Sequence, residues 1–307
     1  MSPRGGPRVL AGAPIAAEIR AGVKDRVAAY QRRQGYRPSL AVVLVGKDAP
    51  SFVYLQQILR SCRNVGASGR LVEVSGRSSN AHLRAVLSEL NEDPLINGII
   101  VQMPLPKHLD LETVVETLDP GKDVDGITPL NAGLLSLGKD AFQPATARAA
   151  VEILVRSGIE LKGKRAVVVG RSNVVGKPAA QLLLREHATV TVAHSRTADL
   201  RGLLRSADVV VAAIGRPGFI TGSMLKRGAV VVDVGINVVN GVIVGDVDQA
   251  SAREVVSAIT PVPGGVGPVT NAILLTQLIT AAERQAATEA RSRGARRPVA
   301  NRLGGTR

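Results

Sequence analysis

The chain has 307 residues, enough for two domains of ordinary size, and 45% of them are apolar. Only 2% are aromatic and Trp is absent, so a core must be built from Val, Leu, Ile and Ala, and no stacking platform for nucleic acid is present. The net charge of +14 gathers in part at the end, where Arg284, Arg291, Arg293, Arg296, Arg297, Arg302 and Arg307 face a single acid, Glu289. With Gly294, Pro298, Gly304 and Gly305 and no apolar period, that stretch reads as an unstructured basic tail. A polyanionic small-molecule ligand accounts for the remaining charge at least as well as nucleic acid does.

Cys62 is the only cysteine, which forbids a disulfide within the chain and suits a reducing compartment. On a helix, a lone cysteine reads as a packing residue rather than a nucleophile. The N-terminus lacks an apolar run of signal-peptide length, and no segment approaches the length of a membrane span. The expectation is a cytoplasmic protein without a membrane partner.

In chain order, residues 13–33 put Ile15, Ile19, Val23 and Val27 on one helical stripe. A buried strand, SLAVVLVG (39–46), follows, then a helix at 50–66, a strand at 70–76, an amphipathic helix at 80–92 and a strand in NGIIVQMPLP (97–106) that stops at Pro104. Residues 119–138 form a Gly-, Pro- and Asp-rich loop running into a short helix, and 146–157 a linker helix. A second α/β unit has strands at 165–169, 188–193, 208–215 and 229–235, a helix from about 176, and a turn or hairpin at 236–248. A proline–glycine loop (260–270) leads to a closing helix at 271–285. This alternation predicts an α/β protein with two doubly wound domains, the second Rossmann-like, with ligands at the strand ends.

The segment VVVGRSNVVGKP (167–178) is a strand, a glycine loop and a helix start. Amides at such a helix N-terminus bind phosphate oxygens, and glycine lets the backbone approach closely. Its G-x5-G spacing departs from the G-x-G-x-x-G fingerprint, so alone it fits an ordinary βα turn equally well. The next strand ends in HSRT (194–197), where a dinucleotide fold meets the adenosine ribose. Ser195 and Arg196 in place of an acid, with Arg171 nearby, suit a ribose phosphate and hence NADP over NAD. Unliganded surface arginine is the plainer alternative, and two such positions count against it.

A second group is Tyr54, Gln102, Asp123 and Asp125. An aspartate accepts two parallel hydrogen bonds from a guanidine-like edge such as the amino-pyrimidinone of a pterin, and a glutamine donates and accepts beside a ring nitrogen. Asp123 reads equally as a loop cap and Tyr54 as a half-buried core ring. No metal site is expected.

Five segments together resemble the methylenetetrahydrofolate dehydrogenase/cyclohydrolase family: SFVYLQQILRSCRNVG (51–66), GIIVQMPLP (98–106), PGKDVDGITPLNAG (120–133), VVVGRSNVVGKP (167–178) and TPVPGGVGPVT (260–270). Their order and separation match, and the resemblance spans roughly residues 10–282. It implies two α/β domains with a cleft between them, folate in the first and NADP in the second, in a homodimer. The first domain would comprise 1–146 plus 271–285, the second 147–270, and 286–307 the tail. By the resemblance, Tyr54, Gln102 and Asp125 would hold the pterin and act catalytically. Pro263, Gly264, Gly265, Val266 and Gly267 would line the folate side. Gly170, Arg171, Ser172, Ser195, Arg196 and Ile236 would hold the cofactor.

The sequence departs from the family at one telling place. The family lysine one turn after the tyrosine is Ile58 here. Smaller changes put Pro144, Ala145, Thr146 and Ala147 at the family's P-C-T-P segment and Ala193 before the H-S pair. The resemblance implies two reactions: oxidation of methylenetetrahydrofolate by hydride transfer, then hydrolysis of the methenyl product to 10-formyltetrahydrofolate. The second needs a proton shuttle that isoleucine cannot provide, and Arg60 and Arg63 are poor bases. The expectation is an NADP-dependent dehydrogenase with weak or absent cyclohydrolase activity. Three alternatives remain: a family member repurposed for another one-carbon or folate-like substrate, a fully bifunctional enzyme using another acid–base group, and a non-catalytic binding protein.

Overall fold

The structure, a computed structural model, describes residues 6–46 and 49–295; the side chains of 49–51, 53–54 and 293–295 also lie outside that description. A short strand, Arg8–Val9 (β1), leads into helix Gly12–Gln34 (α1). Its buried stripe of Ile15, Val23, Val27 and Tyr30 follows the helical period, with Ile19 partly buried beside it. Gly35, at φ 81°, ends the helix by returning its N–H to Gln31 O.

The first α/β unit then runs Ser39–Val45 (β2), Ala49–Asn64 (α2), Ser68–Val74 (β3), Asn80–Glu92 (α3) and Gly98–Val101 (β4). The strands form a parallel sheet of order β3-β2-β4. β2 is apolar on both faces because both are covered. Leu40, Val42 and Leu44 join one core layer with Leu55, Ile58, Leu59 and Cys62 of α2, while Ala41, Val43 and Val45 join another with Leu83, Leu87 and Leu90 of α3. Two short helices follow, Leu111–Thr117 (α4) and Pro129–Ser136 (α5).

Helix Ala145–Arg156 (α6) carries the chain into the second unit: Arg165–Val169 (β5), Gly176–Arg185 (α7), Thr189–Ala193 (β6), Leu200–Ser206 (α8), Val209–Ala212 (β7) and Val230–Asp233 (β8). A hairpin, Asn237–Val239 (β9) with Val242–Val244 (β10), turns at Asn240 and Gly241, both at positive φ as a two-residue hairpin loop requires. Gln249–Arg253 (α9), Ala258–Ile259 (β11) and the long helix Val266–Ala295 (α10) complete it. The second sheet is parallel throughout, in the order β1-β11-β8-β7-β5-β6. Because β6 lies on one side of β5 and β7 on the other, the strand order reverses at β5, the place where such sheets bind ligands.

α10 returns to the first unit and is fastened there by side-chain amides. Gln277 Nε2 donates to Val124 O (2.7 Å) and Gln143 O (3.0 Å), and its Oε1 accepts from Gln143 N (2.8 Å). Near its end, Gln285 exchanges bonds with Asn97 O and Asn97 Nδ2, both at 2.9 Å. Among the described residues no helix is long and apolar enough to cross a membrane.

Three sequence expectations shift. β1 pairs with β11, so the first residues join the second unit's sheet rather than the first's; two residues carry no period that could show this. The strand expected in 97–106 keeps only four residues, because Pro104 has no N–H for a ladder. Residues 286–295, expected to begin the unstructured tail, are helical; Ala286, Ala287 and Ala290 favour helix and no proline occurs before Pro298. The remainder of that tail, 296–307, lies outside the described residues.

Candidate active site

The parallel strands of the first sheet end on one edge, where the chain places Gln102 and Asp125. Gln102 follows β4; its N–H extends the ladder to Val43 O (2.9 Å), and its Nε2 donates to Met103 O (2.7 Å). Residues 122–125 run beside β4, with Ile99 N donating to Lys122 O (2.7 Å) and Ile99 bridged to Asp123. Asp123 is fully buried and accepts from Ile127 N (3.1 Å), Thr128 N (2.8 Å) and Asn131 Nδ2 (2.9 Å). Its carboxylate is committed to shaping the loop.

Asp125 is half-buried and differs. Desolvation, and then the negative charge of Asp123, push its carboxyl up to about 7, opposed by the backbone N–H of Ala145 at the start of α6. It therefore gains and loses a proton near neutral pH. Tyr54 lies on α2, the helix that follows β2 at this same edge; its side chain falls outside the described residues. Ile58, one turn later, is 1% exposed and packed in the apolar layer that holds Leu55, Leu59 and Cys62. Burial pushes the Cys62 thiol up to about 12, which leaves it unreactive.

The proline–glycine loop joins β11 to α10 and touches the start of α1. Gly264, at φ 105°, accepts Gly12 N–H at its carbonyl (2.9 Å), and a Cβ on Gly12 would lie 1.9 Å from Gly265 O. Backbone meets backbone here with no room for a side chain. Pro263, Gly264 and Gly267 are exposed, whereas Gly265 and Val266 are buried beneath them.

At the second sheet's edge, Gly170 (φ 132°) passes so near the loop after β7 that a Cβ would lie 2.1 Å from Ala213 O. A Cβ on Gly176 would lie 2.2 Å from Gly170 O. Ser172 Oγ accepts Val175 N (3.1 Å) and Gly176 N (3.3 Å), so its hydroxyl shapes the loop into α7. Arg171, Ser195 and Arg196 are exposed along this edge, the last two in a turn held by His194 N to Thr197 Oγ1 (2.9 Å) and Arg196 N to His194 Nδ1 (3.1 Å). Ile236 follows β8 and is 69% exposed. A tight glycine cradle at a helix start, two arginines and no carboxylate at the end of β6 fit a dinucleotide with a phosphorylated ribose.

Three structural groups escaped the sequence reading. Asp233 and Asp246 are fully buried carboxylates that together hold six backbone N–H groups. The acids of the GDVD run (245–248) were the available signal. Gln277 fastens α10, and Asn271 is buried near its start. A polar residue within an otherwise apolar helix stripe was the only sign of these two.

The chain matches the model of the tetrahydrofolate dehydrogenase/cyclohydrolase catalytic domain over residues 10–125, and that of the tetrahydrofolate dehydrogenase/cyclohydrolase NAD(P)-binding domain over residues 144–286. It is 49% identical over 278 residues to the bifunctional protein FolD of Moorella thermoacetica, covering 90% of this chain and 99% of that one. The solved structure of the bifunctional FolD methylenetetrahydrofolate dehydrogenase/cyclohydrolase from Campylobacter jejuni is similar with a TM-score of 0.88 at 38% identity, covering 90% of this chain and 99% of that one. Trypanosoma brucei FolD, complexed with NADP cofactor and inhibitor, gives a TM-score of 0.88 at 37% identity, covering 92% and 99%. Matched across both of its units, the chain belongs to the tetrahydrofolate dehydrogenase/cyclohydrolase family.

Proposed function

We propose that this enzyme oxidises 5,10-methylenetetrahydrofolate to 5,10-methenyltetrahydrofolate with NADP, and that it hydrolyses the product to 10-formyltetrahydrofolate weakly or not at all. The observation that carries the second half is Ile58, a hydrocarbon side chain 1% exposed and packed with Leu55, Leu59 and Cys62, at the place where the sequence resemblance puts the family lysine. It has no proton to give or take.

In this reading Tyr54, Gln102 and Asp125 hold the pterin, and Pro263, Gly264 and Gly267 line the folate side over the buried Gly265 and Val266. Gly170, Arg171, Ser172, Ser195, Arg196 and Ile236 hold the cofactor. When bound, NADP supplies the hydride acceptor. Loss of hydride from the methylene carbon leaves a cation shared with the two flanking nitrogens. That step asks for positioning, and no side chain moves a proton. Adding water to the cation and opening the ring does need a proton shuttle, typically worth about 10²–10⁴-fold.

One observation favours a second reading, a retained cyclohydrolase. Asp125, with its carboxyl near 7, is poised to exchange a proton at neutral pH. A spectrophotometric assay with methylenetetrahydrofolate separates the two. NADPH and methenyltetrahydrofolate rising together, with the latter persisting, is the expected result. Methenyl hydrolysis well above the uncatalysed rate would establish the second reading. If neither product forms, the chain is a repurposed or non-catalytic relative.

A homodimer accompanies this proposal. The β9–β10 hairpin exposes the cross-strand pair Val238 (68%) and Ile243 (43%) on one face, a patch suited to a second copy. Light scattering at the mass of a 32.0 kDa monomer would overturn it. A cytoplasmic location is proposed on the single, buried, unpaired cysteine.

A further inference from the structure

Four amide side chains are buried among the described residues: Asn97, Asn131, Asn271 and Gln277. Three are hydrogen-bonded at both their oxygen and nitrogen. Asn271 is 4% exposed, and neither its Oδ1 nor its Nδ2 has a partner among the described residues. Buried polar groups are normally satisfied, and an orphaned amide in an otherwise saturated set calls for a cause.

Its place in the fold supplies one. α10 runs antiparallel to β4. Gln285 bonds to Asn97, just before the strand, and Leu278, two turns earlier on the helix, packs over Gly98 at the strand's start. Asn271 lies a further two turns back on the same face, about 10 Å along the helix, which is about three strand residues. That course carries it towards the C-terminal end of β4, the side on which Gln102 follows the strand. It also lies one turn beyond the exposed Gly267 on the same helix face, at the loop expected to wall the folate cleft.

We propose that Asn271 is a substrate-binding residue, its amide hydrogen-bonding the reduced folate beside Gln102 and Asp125. The inference rests on the folate reading of this cleft. An amide there offers N–H donors and a carbonyl acceptor in a water-poor setting.

The test is Asn271→Leu, which keeps the shape and removes the polarity. The expected result is a rise of about tenfold or more in KM for methylenetetrahydrofolate, the loss of one well-made hydrogen bond, with KM for NADP unchanged. Tm should hold or rise, because hydrocarbon replaces an unpaired buried amide. An unchanged folate KM overturns the inference, as does a fall in Tm with both KM values shifted together, which would mark a structural role. Asn271→Ala gives the same KM readings if the leucine variant does not fold, with a lower Tm from the cavity it leaves. If the wild-type chain shows no dehydrogenase activity, the functional proposal fails separately. Calorimetry with tetrahydrofolate then decides the inference: weaker binding to the variant than to wild type supports it, and equal binding, or none to either, overturns it.

Discussion

The carboxylate of Asp233, at the end of β8, accepts the backbone N–H of Asp246 at 2.9 Å, and through this bond one buried acid positions another. Asp233 also accepts Gly235 N and Val247 N, each at 3.0 Å. Asp246 in turn accepts Ile214 N (2.7 Å), Gly215 N (3.0 Å) and Arg216 N (2.9 Å) from the loop after β7, and Asn237 Nδ2 (3.0 Å) from the hairpin. Burial holds the Asp233 carboxyl above the usual carboxylate range, against the pull of the three N–H groups. The pair fixes the loop that faces Gly170 across the strand-order reversal.

Replacing Asp246 with alanine leaves three backbone donors unpaired at the cofactor edge. Stability should fall by about 2–4 kcal/mol, read by denaturant unfolding, since buried donors to a charged acceptor are lost. KM for NADP should rise more than KM for folate. Equal effects on both would show that the loop does not contribute selectively to the cofactor site.

Asp125 makes stability depend on pH. Its folded pKa of about 7 lies above the ordinary value of 3.8, so the folded state binds a proton that the unfolded chain has released. Its contribution is therefore most favourable below about pH 4, falls as pH rises towards 7, and is level above that. Asp125→Asn should flatten the Tm profile between those values. A profile parallel to wild type would show that the carboxyl titrates normally.

Ile58 should behave as a packing residue for the first reaction. Ile58→Val should cost about 0.5–1.5 kcal/mol of stability and leave dehydrogenase kcat within about twofold. Ile58→Lys tests the second reaction. If the long stem carries its amine to the cleft edge, methenyl hydrolysis should rise at least about tenfold. Folded Ile58→Lys protein with unchanged hydrolysis would separate this position from the proton shuttle.

Arg196 should set cofactor choice. Arg196→Gln should raise KM for NADP about tenfold or more while leaving KM for NAD unchanged, because a charge-assisted bond to a ribose phosphate exists only with NADP. Initial rates with both cofactors measure this, and a parallel rise in both KM values would place the arginine elsewhere on the dinucleotide.

Much of this protein is legible locally. A strand buried on both faces, such as 39–45, must be apolar throughout. A helix such as 12–34 must repeat its apolar stripe, and Gly170 and Gly176 must be glycine because backbone passes where a side chain would stand. Five short segments of this kind carried the family resemblance, the two α/β units and the cofactor.

The tertiary structure decided what depends on residues far apart in the chain. It joined β1 to β11, tied Gln285 to Asn97, and set Asp246 against the loop at 214–216. It separated two aspartates that look alike in sequence: Asp123 saturated by its own loop, Asp125 left to titrate near 7. It also left Asn271 buried without a partner among the described residues. Sequence alone determined most of the strands, helices and glycine turns, because those follow from short-range sterics and periodicity. Burial, desolvation and long-range hydrogen bonds belong to the packed chain, and they decided which polar groups are committed and which remain free for chemistry.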